Sequence, residues 1–448
     1  MIARRAPRID VRSPGSSGAE TTPALLHVNW WKRNLAILVV LAASAVTLLA
    51  WSVVVPAWES ADEPTHWEYA NYIHDRGALP PYHVLPLAAY EPPLYYALIS
   101  PLAVDGLGIQ QAIGGTGVRA VIAPANDLVD NAALHLARLA TVLISLVTVL
   151  FVYLAAREAT GRRTTGVLAA VLVGLWPEFA FRGMTVSPDA LVAMAGAIAT
   201  YLIVRGVRRG FSTRLSVLAG LVIGVAILSK LTGPALLAGA GVAILIERGT
   251  GIRQRLGRLA PLLLAPAMIA PWLLYNQLNY GAPYAKIGAT LVAAGPVHVH
   301  SLLSAYFLVS FPGRLILSSI GLFGWSNIPL PPLLDAAYGL VLAAALVGLY
   351  ATLRRDSASR PLVAAMLSIV AASVAGAVVV NLTYEQPVGR YLFPAIGAMG
   401  VLGAMGLEHL PRWREHERGA TKVLFAVMCT LQVIILATVV YPAYASTG

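Results

Sequence analysis

A short segment near the start of the chain gathers the side chains best suited to chemistry. Asp62, Glu63 and His66 lie close together, and Pro64 favours a helix that begins at this point. Residues three or four positions apart lie on one face of a helix, so these three side chains are expected to lie side by side. A carboxylate in such a setting could act as a general base, and its neighbours could raise its pKa.

Two other chemistries would also suit this segment. Asp62 and Glu63 could cap the helix and complement its dipole, although a cap requires only one acid. Asp62, Glu63 and His66 could instead hold a divalent cation, although two carboxylates and one imidazole form a weak metal signal. We therefore predict that Asp62 and Glu63 are catalytic and that His66 binds substrate. A metal site at all three residues is kept as an alternative.

Two tyrosines and an aspartate further along the chain are candidate substrate-binding residues. Tyr95 and Tyr96 follow a Pro-Pro-Leu run and could contact substrate. They could also anchor the chain in the aromatic belt at a membrane interface. Asp189 follows Ser187 and Pro188, and it could contact substrate or cap the helix that begins there.

Cations at the ends of apolar runs are further candidates. Lys230 follows one such run, and Arg390 with Tyr391 opens another. Each cation could simply extend its charged end to the membrane surface. Several cations beside acids at one face nevertheless suit a lipid phosphate or pyrophosphate. We therefore predict that Lys230, Arg390 and Tyr391 bind substrate.

The composition shows what kind of chain must position these residues. Of its 448 residues, 58% are hydrophobic and only 12% are charged, whereas soluble domains have about 25% charged residues. A soluble globular domain, a disordered chain and a nucleic-acid binder are therefore excluded. The single cysteine, Cys429, excludes a disulfide framework or a cysteine metal site. The sequence predicts an all-α polytopic membrane protein.

Eleven stretches are apolar enough to cross a bilayer, which requires about 20 residues. They cover approximately residues 35–56, 133–156, 164–180, 188–205, 215–229, 231–246, 259–279, 334–353, 361–380, 391–408 and 421–441. Short loops rich in Lys and Arg stay in the cytoplasm. A cytoplasmic N-terminus places 24 of the 32 Lys and Arg residues inside, which leaves the outer face with net charge −5. The chain is therefore predicted to be a multi-pass protein of the plasma (inner) membrane, with its active site on the extracytoplasmic side.

The predicted loops are unequal in size. Residues 1–34 form a disordered basic tail inside, and residues 442–448 form a short outer tail. The transmembrane domain, 35–441, has two large outer loops, 57–132 and 280–333. Within the second loop, 301–325 is predicted to form a re-entrant or interfacial helix pair, because a crossing there would move the following basic loop outside.

Four motifs together resemble a bacterial branch of the GT-C glycosyltransferase superfamily. They are Asp62-Glu63-Pro64-x-His66, Glu91-Pro92-Pro93-Leu94-Tyr95-Tyr96, Gly321-Leu322-Phe323-Gly324-Trp325 and Gly389-Arg390-Tyr391-Leu392-Phe393-Pro394. The superfamily includes protein O-mannosyltransferases, lipid A aminoarabinose transferases and actinobacterial arabinofuranosyltransferases. The resemblance runs from Asp62 to Pro394, and all four motifs lie on the predicted outer side.

The resemblance implies an enzyme that takes a sugar from a polyprenyl-phosphate donor in the outer leaflet. It would pass the sugar, with inversion, to a hydroxyl of a lipid or cell-wall glycan acceptor. Asp62 would be the general base, Glu63 would orient the acceptor or a divalent cation, and Lys230 and Arg390 would meet the leaving phosphate. Relatives often have a basic residue where this chain has Glu91, so another cation must meet the phosphate or the donor must lie differently.

Two other classes of protein remain open at this point. A flippase for a lipid-linked sugar would need charged residues through the middle of several spans, whereas here the charges gather at one face. A scaffold subunit would use the acids only as helix caps. Arabinofuranose and mannose are both candidates for the transferred sugar, and the acceptor and linkage do not follow from the sequence.

Overall fold

The computed structural model describes residues 23–85, 88–105, 131–283, 300–382 and 385–445. These residues form sixteen helices, numbered α1 to α16, a short 3-10 helix at Ser100–Leu102 and one small hairpin. The first seven helices are α1 (Pro23–Val54), α2 (Glu63–Arg76), α3 (Leu94–Ile99), α4 (Ala132–Thr160), α5 (Arg163–Gly174), α6 (Pro177–Met184) and α7 (Pro188–Arg209). The next four are α8 (Thr213–Ser229), α9 (Ala235–Leu245), α10 (Ile252–Tyr280) and α11 (Tyr306–Ile320).

A two-stranded hairpin, β1 (Leu322–Phe323) and β2 (Ile328–Pro329), precedes the last helices. These helices are α12 (Pro332–Arg355), α13 (Arg360–Asn381), α14 (Gly389–Glu408), α15 (Pro411–Glu415) and α16 (Glu417–Ala445). Eight helices in the described ranges are long and apolar enough to cross a membrane. The chain is therefore a multi-pass membrane protein, as its composition predicted.

The helices follow the predicted spans, with three local differences. The first helix begins at Pro23, inside the predicted tail 1–34, of which residues 1–22 lie outside the described residues. The predicted span 164–180 is a bent pair, α5 and α6, with 67° between their axes. The predicted helix pair in 301–325 is wrong, because α11 is a single helix followed by the hairpin.

The bend between α5 and α6 has an identifiable cause. Pro177 lacks an N–H and disfavours helical backbone at the preceding residue, so the helix stops at Gly174. The freed carbonyl of Leu175 accepts a hydrogen bond from Gln432 of α16 at 2.8 Å. Gln432 in turn accepts one from the Trp51 indole at 2.9 Å. The bend carries α6 across the predicted outer end of the bundle.

The helices α2 and α3 form a layer over that same end. Their apolar side chains pack with residues of α4 and α7 in a cluster separate from the main core. Tyr95 of α3 bonds Thr141 of α4 at 2.9 Å, which fixes the layer to the bundle. The layer thereby covers the ends of the helices that carry the predicted site residues.

Candidate functional site

The loop that carries Asp62 has an unusual backbone. Both Trp58 and Asp62 have φ close to +68°, in the left-handed region that non-glycine residues rarely adopt. Asp62 precedes α2, but its side chain makes no capping hydrogen bond to that helix. The capping interpretation of Asp62 is therefore wrong. Its Oδ2 instead accepts a hydrogen bond from Arg390 Nη2 at 2.6 Å.

Contacts from distant elements hold this backbone in place. The N–H of Ala61 donates to the carbonyl of Gly324 at 3.2 Å. The indole of Trp325 donates to the carbonyl of Trp58 at 3.1 Å. Unfavourable backbone conformations persist only where the surroundings enforce them, and they are concentrated at functional sites. The β1–β2 hairpin therefore presents the Asp62 carboxylate, which keeps 40% of its side-chain surface accessible.

Arg390 approaches Asp62 from the start of α14. Gly389 lets this end of α14 pack closely on α11, since a Cβ there would lie 2.3 Å from Ser319 Cα. The guanidinium is buried, and its Nε has no hydrogen-bond partner among the described residues. A buried N–H that lacks a partner costs about 1–3 kcal/mol. Arg390 therefore has a donor left over after it pairs with Asp62.

A second buried ion pair joins two more predicted residues. Lys230, at the end of α8, donates to Asp189 Oδ1 at the start of α7. Ser187 is the N-cap of α7, and its Oγ accepts a hydrogen bond from the N–H of Asp189 at 3.2 Å. Asp189 is therefore not the cap. The structure brings four predicted residues together around His66, because the charge of each one shifts the pKa of that imidazole. They are Asp62, Asp189, Lys230 and Arg390.

Arg182 of α6 is a third buried cation that we did not predict as a site residue. Its Nε donates to Glu178 at 3.0 Å, and its guanidinium lies over the Phe181 ring. Its Nη1 has no partner among the described residues. Glu178 also accepts the N–H of Leu322 at 3.1 Å, which ties α6 to the hairpin. The Glu178–Arg182 spacing of four residues was the only sequence signal for this pair.

Glu63 has a different environment from its neighbour. Its carboxylate is fully buried and pairs with Arg138 Nη2 at 2.6 Å. It also accepts hydrogen bonds from Arg138 Nε at 3.0 Å and from the N–H of Val186 at 3.1 Å. Arg138 further donates to three carbonyls at the end of α1. These contacts occupy both carboxylate oxygens, so we assign Glu63 to positioning the loop rather than to catalysis.

The remaining predicted residues lie around the two ion pairs. His66 Nδ1 bonds the Tyr96 hydroxyl at 2.9 Å, and Tyr96 stacks on Tyr69 with ring centroids 3.9 Å apart. Tyr95 and Tyr96 are buried in the outer layer, so we assign them to positioning α2 and α3. The Tyr391 hydroxyl donates to Gln386 at 2.8 Å. Among the predicted substrate-binding residues, Arg390 is therefore the one that pairs with the Asp62 carboxylate, whereas Lys230 pairs with Asp189.

Metal binding does not fit this arrangement. In the ranges that the structure describes, no three His, Cys, Asp or Glu side chains are grouped as a metal would require. Glu63 is occupied by Arg138 and His66 by Tyr96. The predicted metal site at Asp62, Glu63 and His66 is therefore wrong.

The charges around Asp62 and His66 fix their protonation states. Burial would raise the pKa of Asp62, but the adjacent Arg390 guanidinium holds this pKa well below its usual range. Burial is the main reason that the pKa of His66 is lowered to about 4; the Asp62 carboxylate opposes this shift, and the charges of Lys230 and Arg390 add to it. At pH 7 the site therefore contains an ionised Asp62 and a neutral His66.

The neutral His66 predicts a pH dependence of stability. Its pKa is about 4 in the folded chain and 6.5 when unperturbed, so the unfolded chain binds more protons between these values. The stability gained from neutral His66 is complete above pH 6.5 and is lost as the pH falls towards 4. We expect His66→Gln to flatten this loss in thermal unfolding measured in detergent. The exposed His74 provides the control His74→Gln, and an unchanged slope in His66→Gln would contradict the assignment.

An apolar groove opens beside the site. It lies between α5, α12 and α14, and its lining includes Leu172, Trp176, Val341, Gly389, Phe393 and Met399. Gly389 precedes Arg390 directly, and Phe179 in the lining is three residues from Arg182 on α6. One end of the groove is therefore next to both cations that have unpartnered nitrogens.

The sequence and the fold were compared with known proteins. Residues 118–275 match the family model described as dolichyl-phosphate-mannose-protein mannosyltransferase, which covers about a third of the chain. No curated protein matches the chain significantly. The structure is similar to ArnT from Cupriavidus metallidurans bound to undecaprenyl phosphate, with TM-score 0.54 and 18% identity. That match covers 92% of this chain and 74% of ArnT.

A weaker similarity relates the chain to archaeal enzymes. The oligosaccharyltransferase AglB from Archaeoglobus fulgidus, in complex with an inhibitory peptide and a dolichol-phosphate, matches with TM-score 0.48 and 16% identity. The chain covers 56% of that protein, and 93% of the chain is matched. The chain thus has the fold of ArnT, and its residues 118–275 match the mannosyltransferase family model.

Proposed function

We propose that this protein transfers a sugar from a polyprenyl-phosphate donor to a hydroxyl group of a lipid or cell-wall glycan, on the outer face of the membrane. Asp62 is the general base, and the configuration at the anomeric carbon is inverted. One observation carries the proposal. The accessible Asp62 carboxylate is held by an unusual backbone against Arg390, which is buried and has an unpartnered Nε.

The unpartnered nitrogens suit a phosphate group. Arg390 Nε and Arg182 Nη1 are buried donors without partners in the described part of the chain, and phosphate oxygens are strong acceptors for guanidinium groups. Lys230 adds a third positive charge near the same site. These cations would take up the charge that develops on the phosphate as the sugar leaves. These cations would thus take the place of the basic residue that relatives often have where this chain has Glu91.

The groove suits the lipid part of the donor. Its lining is apolar, and it begins beside Arg390. An isoprenoid chain in the groove would leave its phosphate next to Arg390 and Arg182. The likeness to ArnT, whose structure contains undecaprenyl phosphate, supports a donor of this class.

The reaction then proceeds as one displacement. The acceptor hydroxyl oxygen attacks the anomeric carbon while its proton passes to Asp62. The bond from that carbon to the phosphate oxygen breaks, and the electron pair stays with the phosphate. Because a bound phosphate competes with Asp62 for Arg390, donor binding would weaken the ion pair and raise the pKa of Asp62. Donor binding would thereby make the carboxylate a stronger base.

The distribution of buried charge favours transfer over transport. Eleven charged or histidine side chains are buried in the described ranges, and Glu408 alone belongs to the opposite end of the bundle. A flippase would require charged residues along the path between the two ends. The match to a mannosyltransferase family model also favours mannose over arabinofuranose as the transferred sugar.

A direct assay tests the proposed function. Purified protein in detergent or liposomes is given radiolabelled undecaprenyl-phosphoryl mannose or arabinofuranose and a membrane lipid and glycan extract as acceptor. We expect labelled acceptor and free undecaprenyl phosphate to form in equal amounts. Parallel reactions with EDTA and with Mg²⁺ measure any metal requirement separately. Movement of labelled lipid between leaflets without product formation would instead support the flippase.

Arg390 provides a test of the phosphate assignment. We expect Arg390→Gln to weaken binding of undecaprenyl phosphate about tenfold or more, because it removes a charge-assisted hydrogen bond of about 1.5–3 kcal/mol. Affinity is measured by titration of the purified protein. Arg76 is exposed at the end of α2, so Arg76→Gln serves as the control. Equal affinities in both variants would contradict the assignment.

A further inference from the structure

Glu91 is an acid near the site to which the proposed mechanism gives no role. Its backbone is fixed at both polar atoms. The N–H donates to the carbonyl of Ala88 at 2.8 Å, and the carbonyl accepts the Tyr69 hydroxyl at 3.2 Å. Tyr69 is itself buried and stacked on Tyr96. The point from which the Glu91 side chain extends is therefore well defined.

Among the residues that the structure describes, the Glu91 carboxylate has no hydrogen-bonding or ion-pair partner. Within the described ranges it makes no hydrogen bond or ion pair, unlike Asp62, Glu63, Asp189 and Glu178. The four acids just named each have a buried or half-buried cation as partner. A carboxylate that the fold places near a site and leaves unpartnered is available to a ligand.

A chain of contacts places Glu91 beside the Asp62 site, because Tyr69, which donates to the Glu91 carbonyl, stacks on Tyr96, and the Tyr96 hydroxyl bonds His66. Burial raises the pKa of Glu91, and the nearby Asp189 and Asp62 raise it further, while Lys230 and Arg390 oppose them. Glu91 is therefore close to the charges of both ion pairs. It cannot serve as a phosphate ligand, because two anions would repel each other.

The group that lies between base and phosphate in the proposed displacement is the sugar. Its anomeric carbon must lie in line between the acceptor oxygen at Asp62 and the phosphate oxygen at the cations. Resting on the proposed function, we infer that Glu91 binds the transferred sugar and that its carboxylate accepts hydrogen bonds from the sugar hydroxyl groups. A carboxylate here also disfavours an acidic sugar, so the substrate class is a neutral, hydroxylated sugar.

Binding measurements with two kinds of lipid test this inference. The probes are undecaprenyl phosphate and its mannosyl and arabinofuranosyl derivatives, titrated into the purified full chain. We expect Glu91→Ala to weaken binding of the preferred sugar lipid at least tenfold and to change binding of undecaprenyl phosphate less than twofold. Glu91→Gln, which keeps the size and one acceptor, is expected to show a smaller loss with the same selectivity. Asp75→Ala removes an exposed acid of α2 as a control.

The outcomes separate this inference from the proposed function. If the parent binds no undecaprenyl lipid, the proposed function fails and the inference fails with it. If the parent prefers a sugar lipid and both Glu91 variants keep that preference, the inference alone is overturned. It is also overturned if the parent prefers no sugar lipid to undecaprenyl phosphate, or if the Glu91 variants weaken both lipids equally.

Discussion

Asp62→Asn is expected to lower kcat for sugar transfer by about a hundredfold to ten-thousandfold, the usual contribution of a positioned general base. The amide cannot accept the acceptor proton, whereas its size and place in the loop stay nearly the same. Undecaprenyl phosphate should bind the variant at least as tightly as the parent, because Arg390 loses its carboxylate partner. The measurement is the initial transfer rate at saturating donor, together with a donor titration.

Asp75→Asn is the matched control for this experiment. Asp75 lies near the C-terminal end of α2, where it is exposed and 13 residues from Asp62. Its replacement should leave both kcat and donor affinity unchanged. An Asp62→Asn variant that transfers sugar as fast as the parent would show that another group removes the proton.

Glu63→Gln is expected to destabilise the fold by about 3–5 kcal/mol, since it leaves the buried Arg138 without its counter-ion. This loss should be visible as a large drop in the thermal unfolding midpoint in detergent. Arg138 also bonds the last carbonyls of α1, so the region that unfolds first should include the Asp62 loop. Proteolysis in that loop would then increase.

A salt bridge at the surface provides the control for the stability loss of Glu63→Gln. Glu158 pairs with Arg209 through both carboxylate oxygens, but Arg209 is largely exposed. Exposed pairs contribute about 0–1 kcal/mol, so Glu158→Gln should barely change the unfolding midpoint. A Glu63→Gln variant as stable as Glu158→Gln, yet inactive, would assign Glu63 to catalysis instead of positioning.

The spans and part of the site could be predicted because their signals are local. A run of apolar residues identifies a membrane helix from composition alone. Lys230 and Arg390 could be identified because each is a charge directly beside such a run, and Asp62 because it lies in one short segment with Glu63 and His66. The break between α8 and α9 also agrees with the separate predicted spans 215–229 and 231–246.

The partners of these charges could not be predicted, because they come from distant parts of the chain. Nothing in the sequence pairs Asp62 with Arg390, or Glu63 with an arginine 75 residues away. Because the sequence does not show those partners, it could not distinguish the role of Asp62 from that of Glu63. Arg182 was missed because its importance lies in burial and in an unpartnered nitrogen. Both properties depend on the bend between α5 and α6.

A structure of the protein with undecaprenyl phosphate bound tests the account most directly. We expect the phosphate within about 3 Å of Arg390 Nε and Arg182 Nη1, and the isoprenoid chain in the groove between α5, α12 and α14. The Asp62 carboxylate should remain accessible beside the phosphate. A phosphate bound elsewhere, with both arginine nitrogens still unpartnered, would contradict the account.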